Sequence, residues 1–257
     1  MDNNIYSTPN SQLSETPSIG QYGSIERGIN GDYEVSVGAV LKEAWAKTKG
    51  AKWTLHVAVT LYAVIYLLVA VALSFLFNGN FSPTPPQPAP DAIVSTLLKT
   101  QLSSVLMMAI VAPIGVGLFM LGVRRSVAAP ISATMILGHY NRFAALAITQ
   151  VLLYIATIIG FLLLIIPGIY LSIALCLALP LALDKKMGPM EALNTSRKAI
   201  GKHWFSVFGL FLTITLLNAA TILTLGIGLI WTIPMSIIAV GILYRNIFGC
   251  EIETISE

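Results

Sequence analysis

Long uncharged hydrophobic runs alternate with short polar gaps along this chain, and fourteen of its fifteen Lys and Arg residues fall in every second gap. Such alternation restricts the chain to a polytopic membrane bundle. A charged side chain at the bilayer centre costs roughly 2.5–3.5 kcal/mol, and Lys and Arg resist translocation, so the basic gaps mark the cytoplasmic side. Lys99 alone lies in a gap of the other kind.

The runs set the number of crossings. At a rise of about 1.5 Å per residue, roughly 20 residues cross a hydrocarbon core of about 30 Å. Residues 53–77 and 102–123 each suit one span. The uncharged stretches 143–183 and 204–244 are each long enough for two. Pro167-Gly168 divides the first at 143–166 and 169–183, and Gly226 with Gly228 divides the second at 204–224 and 229–245. Six spans result, with both termini cytoplasmic. Residues 78–90 carry five prolines and read as an extended external loop. Residues 1–35 are polar and read as a disordered cytoplasmic tail without the basic start and apolar core of a cleavable signal, so the first run serves as the targeting segment. Residues 36–245 form the membrane domain, and 246–257 a second cytoplasmic tail.

Composition agrees. Residues are 56% hydrophobic and 11% charged, against about 25% charged in soluble domains, and mean hydropathy is +0.79. No basic run is interleaved with aromatics, which argues against nucleic acid as a partner.

A threefold pattern underlies the spans. Gly50 precedes Trp53, Gly138 precedes Tyr140 and Phe143, and Gly201 precedes Trp204; the glycine suits the end of an interfacial helix and the aromatic suits the headgroup level. Pro113 and Pro234 each lie eleven residues before an arginine, Arg124 and Arg245, whereas Pro180 lies five before Lys185. The expected fold is all-α, three hairpins each preceded by a cytoplasmic interfacial helix. Residues 36–49, with Val37, Val40, Leu41 and Ala44 on one face, supply the first such helix.

The segments Ile166-Pro167-Gly168-Ile169-Tyr170, Leu179-Pro180-Leu181-Ala182-Leu183-Asp184 and Gly188-Pro189-Met190-Glu191-Ala192-Leu193, with Gly201-Lys202-His203-Trp204 and Ala112-Pro113-Ile114-Gly115, resemble a group of bacterial inner-membrane proteins. That group includes the YciC-like family and the membrane domain attached to some glycerophosphodiester phosphodiesterases. The resemblance covers about residues 36–245 and implies a bacterial inner membrane and a helical bundle. It carries no catalytic residues to transfer.

Candidate functional residues form three sets. Arg124, Arg125, Arg142, Lys185, Lys186, Arg197, Lys198 and Lys202 could hold anionic lipid headgroups, at roughly 1 kcal/mol per charge near the surface. Tyr62, Gln150, Tyr154 and Asn218 could line a polar cavity, or bond across helices. Pro113, Pro167, Gly168, Pro180 and Pro234 mark kinks and turns. Asp184 could pair with Arg125 or Arg197. No nucleophile–base set, phosphate loop or zinc-binding histidine pair is present, and no cofactor is expected. The reading that follows is a non-enzymatic membrane protein whose partners are lipids and possibly a membrane protein, in envelope or lipid homeostasis. The alternative is a transporter of a small apolar or zwitterionic solute.

Overall fold

A computed structural model describes residues 22–79, 93–223 and 225–251. Over these residues the chain is all-helical, 82% helix and without strands. Helices α1 (Ile25–Asn30) and α2 (Val37–Thr48) precede a hairpin of α3 (Lys52–Asn78) and α4 (Ile93–Ser126). The second hairpin pairs α5 (Phe143–Leu163) with a broken span made of α6 (Ile165–Ala174) and α7 (Ala178–Asp184). Helix α8 (Pro189–Lys202) leads to the third, α9 (Trp204–Ile222) and α10 (Leu229–Phe248). Six helical stretches are long and apolar enough to cross a membrane, the architecture of a multi-pass membrane protein.

The second member of every hairpin forms the interior. Over their most apolar windows α4, the α6–α7 pair and α10 are 56%, 44% and 61% buried, whereas the first members are 6%, 17% and 17% buried. The bases of the hairpins close a ring. His56 Nε2 lies 2.9 Å from the Ile230 carbonyl, the Tyr140 hydroxyl donates to the Ile110 carbonyl at 3.4 Å, and Trp204 Nε1 donates to the Tyr170 carbonyl at 3.2 Å. Thus the first hairpin leans on the third, the second on the first and the third on the second. Pro234 has no N–H to offer the carbonyl four residues back, and that carbonyl, at Ile230, is the one His56 meets.

Where α4 crosses α10 the backbones touch. A Cβ placed on Gly122 would overlap the Ile237 carbonyl, and one on Gly241 would overlap the backbone of Gly122. Close backbone approach through small residues is how membrane helices gain packing without a hydrophobic driving force. Beyond the crossing, Arg245 of α10 donates to both carboxylate oxygens of Glu43 on α2, at 2.8 and 3.0 Å, and to the Ser126 carbonyl of α4 at 2.7 Å. Burial alone would raise the Glu43 carboxyl; the hydrogen bonds and charge of Arg245, with Lys47 beside it, hold it below its ordinary value.

Several expectations need correction. Residues 22–35 of the supposed tail are ordered: Ser24 caps α1, Gly31 ends it with a left-handed φ of 85°, and the buried Tyr33 hydroxyl donates to the Ala199 carbonyl. Burial, with Cys176 nearby, pushes that hydroxyl up to about 12. Residues 1–21, the external loop from 80 to 92 and residues 252–257 lie outside the described residues. No α-helix lies between α4 and α5. Two 3-10 turns, Ala133–Leu137 and Tyr140–Arg142, take its place, because Gly117 leaves room for the Ile136 backbone to settle directly against α4. Only Gly50 of the three landmark glycines has a positive φ, 81°; Gly201 lies inside α8.

The second hairpin turns at Leu164, whose backbone is extended, rather than at Pro167-Gly168. Proline is acceptable in the first turn of a helix, where its missing N–H has no partner to lose, and Gly168 gives space to the Phe161 ring. Pro180 likewise sits in the first turn of α7, so it marks a break rather than a kink, whereas Pro113 and Pro234 lie inside continuous helices. At the break the Ala174 carbonyl accepts 2.8 Å from Ser196 Oγ of α8. Helix α4 begins at Ile93, nine residues before its expected start, since the polar set Ser95, Thr96, Lys99 and Thr100 remains helical.

Candidate functional site

Three basic groups from three separate segments converge at one end of the bundle. Arg124 closes α4, Arg142 ends the second 3-10 turn and Lys186 follows α7, together lining a cavity of about 290 Å³. Local backbone demands explain the convergence. Lys186 adopts φ 52°, a left-handed bend that turns the chain from α7 toward α8. The contact of Ile136 with Gly117 draws the 3-10 segment inward; Gly117 lies seven residues from Arg124, about 10 Å along the axis. Non-helical backbone this far into a span is tolerated only against protein or a polar cavity, and here it has both.

His139 and Asn141 add polar groups to the same wall, and Asp184 is the one carboxylate among the lining residues. Asp184 is buried and already engaged. It accepts 2.7 Å from the Tyr244 hydroxyl and 3.4 Å from the Glu251 amide, and Lys185 Nζ lies 3.6 Å away. Arg124 is also buried, and its Nε donates to the Pro130 carbonyl at 3.1 Å. Three cations thus accompany one carboxylate among the lining residues, an excess of positive charge. That arrangement suits a phosphate-sized anion. It contains no nucleophile activated by a base, and among the described residues no three His, Cys, Asp or Glu side chains gather as a metal centre.

The other expected headgroup residues do different work. Arg125 is spent internally, donating to the carbonyls of Lys47 at 2.8 Å and Lys49 at 2.7 Å. Lys185 bridges Asp184 and Glu251. Arg197, Lys198 and Lys202 stand on the exposed face of α8, outside the cavity. Asp184 meets Tyr244 and Lys185 rather than Arg125 or Arg197; Arg125 bonds to backbone elsewhere and Arg197 stands exposed on α8.

The four cavity candidates also separate. Tyr62 and Gln150 line a furrow of about 900 Å³ between α3 and α4. Asn218 bonds Ser236 at 3.0 Å across the third hairpin, and Tyr154 lies away from the furrow. His139 and Asn141 join the site although the charge pattern does not point to them. Three polar residues within four positions, His139, Asn141 and Arg142, beside an uncharged run were the available signal.

Comparison with protein-family models, curated proteins and solved structures gives no match.

Proposed function

We propose that this chain is a non-enzymatic protein of a bacterial inner membrane that binds the phosphate group of an anionic phospholipid in the Arg124–Arg142–Lys186 cavity, serving lipid or envelope homeostasis. The convergence of those three cations, with His139 and Asn141, on a cavity large enough for a headgroup carries the reading. The cavity opens where the basic gaps gather, and by the preference of Lys and Arg for the untranslocated side it faces the cytoplasm, as do both termini. Reporter fusions after residue 190 should be active inside the cell and those at residue 85 outside; the reverse pattern would invert the assignment.

The binding test contrasts cavity with surface. Arg142→Gln with Lys186→Gln removes two charges, each worth about 1 kcal/mol toward an anionic headgroup, so phosphatidylglycerol affinity should fall roughly 30-fold. Arg197→Gln, Lys198→Gln and Lys202→Gln together should weaken it far less. Native mass spectrometry of the detergent-extracted protein reads lipid retention directly. Equal retention by wild type and the cavity double variant would defeat the proposal.

A further inference from the structure

The furrow between α3 and α4 is unlike the surfaces around it. Its floor is apolar, built on Leu73, Met107 and Val111. Its polar lining runs in a file. Lys99, Thr100, Ser103 and Ser104 of α4 and Ser74 of α3 occupy the outer part, and Tyr62, Tyr66 and Gln150 the inner part. From Lys99 to Gly115 the furrow follows α4 for sixteen residues, about 24 Å, deeper than one leaflet of about 15 Å. Polar side chains at such depth are costly against acyl chains and mark a path for polar groups. Among the described residues, neither the Gln150 side chain nor the Tyr62 hydroxyl has a hydrogen-bond partner within the protein.

The furrow and the basic cavity follow the same two helices. Gly115 and Leu179 line the first, Gly117 and Leu183 the second; on α7 one turn separates them, and on α4 the two glycines face different neighbours, Tyr62 in the furrow and Ile136 with His139 in the cavity. We infer that the furrow receives a phospholipid headgroup at Lys99 while the acyl chains stay in the bilayer, and that furrow and cavity together form a transbilayer route for lipid. Charge decides the occupant. Lys99 at the mouth and three cations at the far end both attract a phosphate, and between them the Ser74, Ser103 and Tyr62 hydroxyls can donate to it, those of Thr100 and Ser104 already donating to the Thr96 and Thr100 carbonyls. The inner half of the route rests on the headgroup binding proposed above.

The test is the rate at which fluorescent phosphatidylglycerol becomes accessible to dithionite in proteoliposomes of the full chain. Wild type should accelerate exchange at least tenfold over protein-free vesicles. Gly115→Leu should abolish most of that gain, and Gln150→Leu should reduce it several-fold. A Cβ on Gly115 comes only to 3.9 Å from the Tyr62 ring, so Gly115→Ala fits the furrow unstrained and serves as the folding control for Gly115→Leu. Lipid retention by native mass spectrometry serves as the independent readout. Retention with no accelerated exchange overturns the route and leaves cavity binding standing. Exchange unaltered in Gly115→Leu overturns the furrow as its path, and loss of retention in the cavity variant with normal exchange removes the cavity from it.

Discussion

Glu43→Gln probes the joint where α2, α4 and α10 meet. The Arg245 side chain is 7% exposed and Glu43 36% exposed, so the arginine bears most of the desolvation. Hydrogen bonds to charged groups are worth about 1.5–3 kcal/mol each, and solvent around Glu43 offsets part of that. The amide retains one acceptor oxygen, and Arg245 keeps Ser126 and the Asn246 side chain, which leaves a net loss of about 2 kcal/mol. For a chain of this length the melting temperature should drop by about 4–8 °C. Arg245→Met should cost more, about 3–5 kcal/mol, because it strips every acceptor at once. Tryptophan-fluorescence melting in detergent measures both, and the double variant should be less destabilised than the sum of the two by about 1–2 kcal/mol. The pH dependence has a fixed sign. The carboxyl is depressed below its ordinary 4.5 in the folded protein, so the stabilisation is complete above that value and lost as pH falls through the lower folded-state value. The gap between wild type and Glu43→Gln should narrow only below about pH 4.5. A shift under about 1 °C at pH 7, or a gap unchanged in acid, would refute the assignment of this pair as a joint.

Gly241→Val should prevent a monodisperse bundle on gel filtration, since the added carbons meet the Gly122 backbone, while Gly115→Ala should migrate as wild type. Ser196→Ala should lower the melting temperature by about 2–4 °C, the effect of one lost hydrogen bond of about 1 kcal/mol at the broken span; no change would mean that the Ala174 carbonyl needs no such partner.

The six crossings were legible because the requirement that sets them is local. A bilayer penalises each charge where it stands, so runs such as 53–77 and 204–244 state their environment without reference to any other part of the chain. The threefold pattern was half legible. Trp204 and Tyr140 were visible as aromatics that open a hairpin, but their acceptors at Tyr170 and Ile110 lie in the preceding hairpin. His56 lies one turn past Trp53, and only packing paired it with a carbonyl that a proline 178 residues later had freed.

The candidate site divides the same way. Charge patterning selected eight cations without ranking them, because the preference for one side of a membrane is satisfied equally by an exposed Lys198 and an internally bonded Arg125. Three-dimensional packing ranked them. The fit of Ile136 against Gly117 swung Arg142 to Arg124, and the left-handed bend at Lys186 brought the third. The sequence by itself determined where this chain meets lipid and where it meets water, since transfer energies attach to single residues. Which polar groups share a cavity, and which are consumed holding helices together, was decided only by the tertiary structure. Those outcomes depend on contacts between residues far apart in the chain, and no linear pattern records them.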